Sequence, residues 1–261
     1  MTRTAYLGID IGTSGIRGSC IDDHGEEIAS HRISFDSHSA GPKISDQGIS
    51  EQDPSHWREQ LEQLLASLTA QLDTLDTQIE AISIDGTSST LIACSEDGTP
   101  QSPALMYNDQ QAGAQAQTIS GIAPIDSAVH GASSSLAKAL LLMQRYPGAA
   151  RLCHQADWLA GWLSGNYGIS DENNCLKLGY DSRTAEWPSW ISEQLGIDKA
   201  LLPEVFAPGT VTGSVQAHHC ERYALSDDCV MVAGTTDSNA AVLAALGADA
   251  TAEAGDAVTS L

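Results

Sequence analysis

A segment near the amino terminus, GIDIGTSGIRGSCIDDHG at residues 8–25, restricts the fold more than any other part of the chain. The five residues before Gly12 alternate between apolar side chains and Gly8 or Asp10, which is the period of a half-buried strand. Gly12 and Gly15 then bracket two hydroxyl residues, and so short a turn predicts a hairpin with residues 16–21 as its returning strand. A second turn at residues 22–25 leads to another extended stretch.

Asp10 ends the first strand directly before the hairpin turn, and this placement has two interpretations. Successive backbone N–H groups in such a turn can converge on an anion, while the carboxylate holds Mg²⁺ directly or through water. An ordinary tight hairpin, in which the aspartate only caps a turn, has the same residues. The segment alone leaves both open.

Net charge excludes some classes of partner. The formal net charge of −22 is spread along the chain and argues against binding to nucleic acid or to an anionic membrane surface. No apolar run is long enough to span a bilayer, and the first residues do not resemble a secretory leader. The six cysteines lack CxxC spacing. We therefore expect a cytoplasmic protein with reduced thiols, whose oligomeric state the sequence does not indicate.

The remaining pattern is one of alternating strands and helices. Asp53 before Pro54 predicts the start of a helix, and apolar residues at helical spacing follow it. A second helix is predicted at residues 136–146, after serines able to cap it. Strands are predicted at residues 79–85, 90–94 and 229–233, with a further extended segment that ends at Tyr107. The apolar face of the first helix comprises Trp57, Leu61, Leu64, Leu65, Leu68, Leu72 and Leu75.

Three aspartates each lie at a turn next to a predicted strand. Asp10 precedes GTSG, Asp85 precedes GTSS, and Asp237 follows GTT and precedes a predicted helix over residues 238–246. Residues just past the carboxyl ends of strands in an α/β sheet face the ligand crevice, so the three carboxylates are expected to meet there. Each aspartate could instead cap the element that follows it.

Four segments in this order resemble the FGGY family of carbohydrate kinases: DIGTSG, ISIDGTSSTLIACSEDGTPQSPALMYNDQQA at residues 82–112, SDENNCLKLGYD at residues 170–181 and AGTTDSNAA at residues 233–241. The resemblance spans nearly the whole chain. It implies an α/β chain with the actin-like, ribonuclease-H-like ATPase fold, a mixed sheet flanked by helices. It also implies that residues 1–261 form the family's N-terminal, sugar-binding domain, and that residues 247–261, which end in a predicted strand, lead into an absent nucleotide-binding domain.

The resemblance also implies a role for each matching position, with ATP and Mg²⁺ as cofactors. Asp237 corresponds to the catalytic base, and Asp10 to the acid near the metal ion. The positions that correspond to the ATP phosphate loop are Gly12, Thr13 and Ser14. The positions that correspond to the substrate site are Asp10, Ser14, Gly15, Asp85, Ser88, Asn108 and Asp109. For Asn108 and Asp109, a helix N-cap before QQAGAQAQ is a second interpretation.

Within the family, the GTSS, YND, NNCLKLGYD and GTTDS segments look most similar to the xylulokinase-like D-ribulose kinases, so D-ribulose is the expected substrate. Typical xylulokinases carry a Met-His pair where this chain has Ser88 and Ser89, which argues against D-xylulose. The implied protein phosphorylates a ketopentose at its terminal hydroxyl, and this half alone is expected to be nearly inactive. The alternatives are a kinase for D-xylulose or another polyol, a non-catalytic sugar-binding module, and an actin-like structural ATPase.

Overall fold

The computed structural model describes residues 3–35, 41–45 and 48–246 of the chain. Among these residues, five strands precede the first long helix, and shorter groups of strands and helices follow it. The strands of this part are β1 (Arg3–Ile11), β2 (Gly15–Ile21), β3 (Glu27–Ser34), β4 (Lys43–Ile44), β5 (Ser50–Gln52), β6 (Thr77–Gly86), β7 (Leu91–Cys94), β8 (Ala104–Leu105), β9 (Arg151–His154), β10 (Ile169–Asp171), β11 (Glu204–Phe206), β12 (Val211–Ser214) and β13 (Val230–Val232). The α-helices are α1 (Pro54–Asp73), α2 (Gly113–Ser120), α3 (Ser135–Arg145), α4 (Gln155–Ser164), α5 (Glu172–Cys175), α6 (Ser189–Glu193), α7 (Ala217–Arg222) and α8 (Asp237–Leu246), and short 3-10 helices cover Leu176–Leu178 and Lys199–Leu201.

The larger sheet has six strands in the order β12-β13-β6-β1-β2-β3. The predicted hairpin is confirmed: β1 and β2 pair antiparallel, and Ile11 opposite Ile16 closes the turn. Strands β1, β6 and β13 are parallel neighbours, while β12 and β3 form the two edges. Because parallel neighbours run in the same direction, their carboxyl ends lie together at one edge of the sheet.

Helix α1 covers one face of this sheet, against β2, β3 and β6. It begins at Pro54, as predicted, and the Asp53 carboxylate accepts a hydrogen bond from the Ser55 N–H at 2.9 Å. Each large apolar side chain that α1 buries contributes about 1.5–3 kcal/mol. The buried residues are Pro54, Trp57, Leu61, Leu64, Leu65, Leu68 and Leu72.

The prediction that Leu75 belongs to this apolar face is wrong. Helix α1 ends at Asp73, and Leu75 lies in the following turn with 42% of its surface exposed. The Leu75 N–H bonds to the Leu72 carbonyl, which turns the chain away from the helix axis and toward β6. On the opposite face of the sheet, Tyr6, Gly8 and Asp10 of β1 are exposed.

The second sheet is antiparallel and has the order β4-β5-β8-β7-β9. Its strand β7 confirms the strand predicted at residues 90–94, but the extended segment predicted to end at Tyr107 contributes only the two residues of β8. Helix α3, which confirms the helix predicted at 136–146, packs on β7. The Ser134 hydroxyl caps it by accepting from the Ala137 N–H at 3.2 Å. A second cluster of buried apolar side chains lies between this sheet, α2 and α3.

The carboxyl-terminal part of the described chain returns to the larger sheet. Strand β13 lies within the predicted 229–233 and runs through a short turn into α8, which confirms the helix predicted over residues 238–246. Residues 247–261, with the predicted terminal strand and the predicted lead into a further domain, lie outside the described residues. In the part that the structure describes, no helix is both long and apolar enough to cross a membrane.

Candidate active site

Three aspartates come together at the carboxyl edge of the larger sheet. Asp10 on β1 and Asp85 on β6 are paired in register. The next residue of β6, Gly86, bridges to Thr236 in the turn after β13, and Asp237 follows as the first residue of α8. The negative charge of Asp237 acts on both other carboxylates. The predicted convergence of the three acids is therefore present in the tertiary structure.

The environment of Asp85 favours its protonated form. Burial contributes most to this effect, and the charge of Asp10, a hydrogen bond with Asp10 and the charge of Asp237 add to it; together they raise the pKa of Asp85 to about 8. The pKa of Asp10 is also raised, mainly because neighbouring groups displace water from its carboxylate, although its hydrogen bond with Asp85 and two nearby arginines oppose the shift. A positive charge between these carboxylates would remove their repulsion.

The hairpin turn beside Asp10 forms a small cavity. The Gly12 N–H bonds to the Gly15 carbonyl at 3.0 Å, and a Cβ at position 15 would lie 2.6 Å from the Ile33 carbonyl oxygen, so glycine is required there. The cavity has a volume of about 190 Å³. Its lining residues are Asp10, Gly12, Ser14, Gly15, Ile16, Arg17 and Arg32. Polar backbone, a hydroxyl and two guanidinium groups are suited to an anion of phosphate size.

The two arginines of this cavity, Arg17 and Arg32, are not among the residues predicted from the sequence. Arg17 on β2 lies opposite Asp10 on β1 and opposite Arg32 on β3, so the three residues form a row across neighbouring strands. The hairpin itself carried a signal for Arg17, because a turn closed by Ile11 and Ile16 places the preceding and following residues opposite each other. Nothing in the sequence pattern indicated Arg32.

The turn that carries Asp237 is held by residues distant in sequence. Asn173 Nδ2 donates to Thr235 Oγ1 at 2.8 Å, and Asn174 Nδ2 donates to the Thr235 carbonyl at 3.2 Å. At Gly234, a Cβ would lie 1.9 Å from the Ile84 carbonyl oxygen, so this turn packs directly on the backbone of β6. Asp237 Oδ1 accepts hydrogen bonds from the N–H and the hydroxyl of Ser238, at 2.7 and 3.1 Å.

The GTSS turn follows Asp85 and is also tightly held. Gln155 Oε1 accepts hydrogen bonds from the N–H and the hydroxyl of Thr87, at 3.1 and 2.7 Å. Ser89 adopts a left-handed backbone conformation, with φ of 69°, which is strained for a residue other than glycine. The side chain of Ser88 is partly exposed, so it remains available to a ligand.

Asn108 and Asp109 differ sharply in their surroundings. Asn108 is exposed, whereas Asp109 is fully buried. Asp109 Oδ2 accepts from the Ser50 N–H at 2.7 Å and from Gln111 Nε2 at 2.9 Å, and Oδ1 accepts from the Gln111 N–H at 3.0 Å. The predicted contacts of these residues with a sugar remain predictions.

Neither Asn108 nor Asp109 caps a helix, so that interpretation is wrong. Helix α2 begins only at Gly113, and its N-cap residue, Ala112, makes no side-chain cap. The Asp109 carboxylate instead ties the turn after β8 to β5 and closes a local turn on Gln111.

The three acids also provide a test of whether this edge fits a metal ion. Asp85 Oδ1 is buried and receives no hydrogen bond from a donor in the described part of the chain, and the nearby carboxylates repel it. Among the described residues, however, no group of three or more His, Cys, Asp or Glu side chains is arranged to hold a metal ion by itself. Mg²⁺ is commonly bound by one or two carboxylates together with water and substrate phosphates. The carboxylates of Asp10 and Asp85 fit this way of binding Mg²⁺.

A buried hydrogen-bonded series elsewhere has the residue types of a hydrolase triad. His154 Nδ1 lies 2.9 Å from Asp157 Oδ2, and Nε2 lies 3.2 Å from Ser135 Oγ. Ser135 and His154 are both fully buried, so no substrate can reach the hydroxyl. We interpret the series as a structural link from the end of β9 to the first turn of α3.

A cavity of about 450 Å³ lies near Gln52 and Pro103, and none of the predicted site residues lines it.

The strand order and the acidic edge beside an anion-sized cavity define this chain as a domain of the actin-like, ribonuclease-H-like ATPase fold. The chain belongs to the FGGY family of carbohydrate kinases, whose N-terminal domain matches residues 5–244. Xylulose kinase of Lactococcus lactis is 29% identical over 249 residues, which are 92% of this chain and 49% of that protein. The chain thus spans about half the length of the curated relatives it matches.

Solved structures support the assignment of the fold. A xylulose kinase from Rhodospirillum rubrum superposes with a TM-score of 0.81 at 19% identity, over 92% of this chain and 50% of that chain. Plasmodium falciparum glycerol kinase with ADP gives a TM-score of 0.78 at 20% identity, over 92% of this chain and 49% of that chain. At these identities the likeness concerns the fold.

Proposed function

We propose that this chain is the sugar-binding, N-terminal half of an ATP-dependent pentulose kinase that phosphorylates the terminal hydroxyl of a ketopentose. The observation that carries the proposal is the meeting of Asp10, Asp85 and Asp237 at one sheet edge, beside a cavity lined by the hairpin turn and two arginines. Phosphoryl transfer requires an aligned hydroxyl, a group that accepts its proton and compensation of the phosphate charge. The edge supplies residues for each task.

Asp237 is the proposed proton acceptor. Its Oδ1 is oriented by two hydrogen bonds from Ser238, and its turn is fixed by Asn173, Asn174 and close packing on β6. A fixed carboxylate beside the sugar hydroxyl can take the proton as the new O–P bond forms. Asp237 is also the first residue of α8, so the start of that helix fixes its place at the sheet edge.

The nucleotide is proposed to bind at the hairpin. Gly12, Thr13 and Ser14 provide backbone and hydroxyl groups for phosphates, and Arg17 and Arg32 provide positive charge on the same side of the sheet. Asp10, with Asp85 beside it, is the proposed carboxylate for Mg²⁺. When bound, Mg²⁺ would neutralise charge that develops on the phosphate oxygens.

The sugar is proposed to contact Asp85, Ser88, Asn108 and Asp109, together with Asp10, Ser14 and Gly15 at the hairpin. Ser88 is partly exposed in the GTSS turn (residues 86–89), and Asn108 is exposed in the MYND turn (residues 106–109), whereas Asp109 is buried and already bonded to protein groups. A polyol offers few apolar groups, so recognition depends on such hydrogen-bonding side chains.

D-Ribulose is the proposed substrate, because Ser88 and Ser89 replace the Met-His pair typical of xylulokinases. D-Xylulose is the second candidate, and the names of curated relatives such as the xylulose kinases of Lactococcus lactis and Streptomyces coelicolor favour it. A cytoplasmic location is also proposed; the six cysteines are free thiols, and all are buried.

The test is an assay of ATP-dependent sugar phosphate formation with the product of the gene's full reading frame. D-Ribulose, L-ribulose, D-xylulose and glycerol are supplied separately, with and without Mg²⁺. We expect the highest kcat/KM with D-ribulose and no turnover without the metal. Saturable sugar binding without phosphate formation would instead identify a sugar-binding module, and ATP hydrolysis indifferent to every sugar would identify a structural ATPase.

A further inference from the structure

One lysine is enclosed in the interior between the two turns that carry the proposed sugar-binding residues. Lys138 of α3 has no exposed surface. Its Nζ donates one hydrogen bond to the Ser89 carbonyl at 2.8 Å and another to the Met106 carbonyl at 2.6 Å. Ser89 belongs to the GTSS turn, and Met106 begins the MYND turn. A single ammonium group therefore links two turns that belong to different segments of the chain.

An ammonium group in this position is costly, which makes its presence informative. Removing an unpaired charge from water is strongly unfavourable, and burial lowers the pKa of Lys138 to about 7. The charge of Asp109, in the MYND turn, opposes that shift. A leucine or methionine at this place in α3 would fill the core without this cost. The lysine is thus explained by what its charge and its donors hold together.

Both carbonyls that Lys138 contacts lie next to side chains open to a ligand. Ser89 directly follows Ser88, has a left-handed backbone conformation, and accepts the hydrogen bond from the ammonium group through its carbonyl. The Met106 carbonyl also accepts from the Asp109 N–H at 2.9 Å, so it closes the turn in which Asn108 is exposed. A shift of either carbonyl would change the distance between Ser88 and Asn108.

We propose that Lys138 is a positioning residue for sugar recognition: it holds the GTSS and MYND turns at a set separation, so that Ser88 and Asn108 bind one ketopentose together. This inference rests on the proposed function. Lys138 itself is covered by the turns and does not touch the sugar. Hydroxyl groups a few ångströms out of place leave hydrogen bonds unmade, and each unmade bond in a closed site weakens binding.

The experiment compares Lys138→Met with Lys199→Met in the product of the full reading frame. Methionine keeps most of the volume of lysine but supplies no donor, and Lys199 is an exposed lysine on a surface 3-10 helix. We expect Lys138→Met to raise the KM for the preferred ketopentose at least about tenfold, the effect of losing one hydrogen bond to a charged group. The KM of Lys138→Met for ATP should stay within about twofold of that of the unmodified enzyme. For the control Lys199→Met, the KM values for the sugar and for ATP should both stay within about twofold.

Further readouts separate positioning from a merely structural role. The sugar KM is measured for Ser88→Ala, for Asn108→Ala and for both together, in the unmodified enzyme and in Lys138→Met. We expect the effects of the two substitutions to be coupled in the unmodified enzyme and additive in Lys138→Met. Circular dichroism and a cooperative thermal transition establish that each variant is folded. If Lys138→Met does not fold, Lys138→Arg takes its place, since it retains the charge and the donors but displaces them. A raised sugar KM with unchanged ATP KM then supports the proposal.

The inference is overturned if a folded Lys138 variant keeps its sugar KM, or if both KM values and kcat change in parallel. It is overturned as well if Ser88 and Asn108 are equally coupled in both backgrounds. If the unmodified enzyme phosphorylates no sugar of the panel, the proposed function fails and this inference fails with it. An active unmodified enzyme with an unaffected Lys138 variant removes only the positioning role.

Discussion

Asp10 and Asp85 lie opposite each other on neighbouring parallel strands, and the charge of Asp10 contributes to the raised pKa of Asp85. Two ionised carboxylates in this arrangement repel each other, and a proton on one of them or a cation beside both relieves that repulsion. The pair is therefore a site that binds either a proton or a cation. For a proposed kinase this is a useful property, because the metal ion that accompanies a nucleotide can take the place of the proton.

The first prediction concerns the pH dependence of stability. The pKa of Asp85 is about 8 in the folded chain, against about 3.9 in an unfolded one, so the folded state retains a proton that the unfolded state has lost. Stability should therefore fall as the pH rises between these two values. Asp85→Asn removes the charge, and we expect it to stabilise the chain by about 4 kcal/mol more at pH 9 than at pH 5, since each of the three pH units from 5 to 8 costs the unmodified chain about 1.4 kcal/mol.

Urea unfolding of the chain at both pH values measures this difference. Asp73→Asn is the matched control, because Asp73 is exposed at the end of α1 and its replacement should shift stability equally at both pH values. An Asp85→Asn variant whose stability falls with pH as steeply as that of the unmodified chain would contradict the assignment of the proton to Asp85.

The second prediction concerns the proposed base. Asp237→Asn keeps the size of the side chain but removes its ability to accept a proton. We expect kcat to fall by about 10²–10⁴ in the full-length protein while calorimetric binding of the ketopentose changes little. Asp228→Asn, in the exposed turn before β13, should leave kcat unchanged. Turnover retained by Asp237→Asn would remove Asp237 from the role of base.

The third prediction concerns the support of Asp237 by Asn173. The hydrogen bond from Asn173 to Thr235 fixes the turn two residues before Asp237. Asn173→Ala should lower stability by about 1 kcal/mol and kcat by about tenfold, with little effect on sugar KM. A double-mutant cycle with Thr235→Val tests the contact, and we expect a coupling of at least about 0.5 kcal/mol. Fully additive effects would show that the contact does not support the turn.

The fourth prediction concerns the turn that carries Asp237, residues 234–237, which packs closely on β6. In Gly234→Ala, the added Cβ would meet the Ile84 carbonyl oxygen at 1.9 Å, so the turn or the strand must move. We expect a loss of stability of about 1–3 kcal/mol or more in urea unfolding. Gly148→Ala is the control, since nothing lies within 4 Å of a Cβ at that position. Equal stability of the two variants would refute this account of the turn.

Local patterns were sufficient to predict several elements of the fold. The hairpin of β1 and β2, the start of α1 at Asp53 and Pro54, and the strand-turn-helix that ends in α8 each follow from periodicity and turn chemistry within about 20 residues. The errors also have local causes. Leu75 has helical spacing but lies beyond the last turn of α1, and Asp109 has the character of a helix cap but bonds to Ser50 across the second sheet.

The sequence by itself determined that Asp10 and Asp85 would lie near the ends of strands and Asp237 at a strand-to-helix turn, because that depends only on neighbouring residues. Only the tertiary structure decided that β1, β6 and β13 are adjacent and parallel, which brings the three carboxylates to one edge. The same holds for the links from Lys138 to Ser89 and from Asn173 to Thr235. Such contacts join residues far apart in the chain, and their geometry arises from the packing of whole elements, which no local pattern encodes.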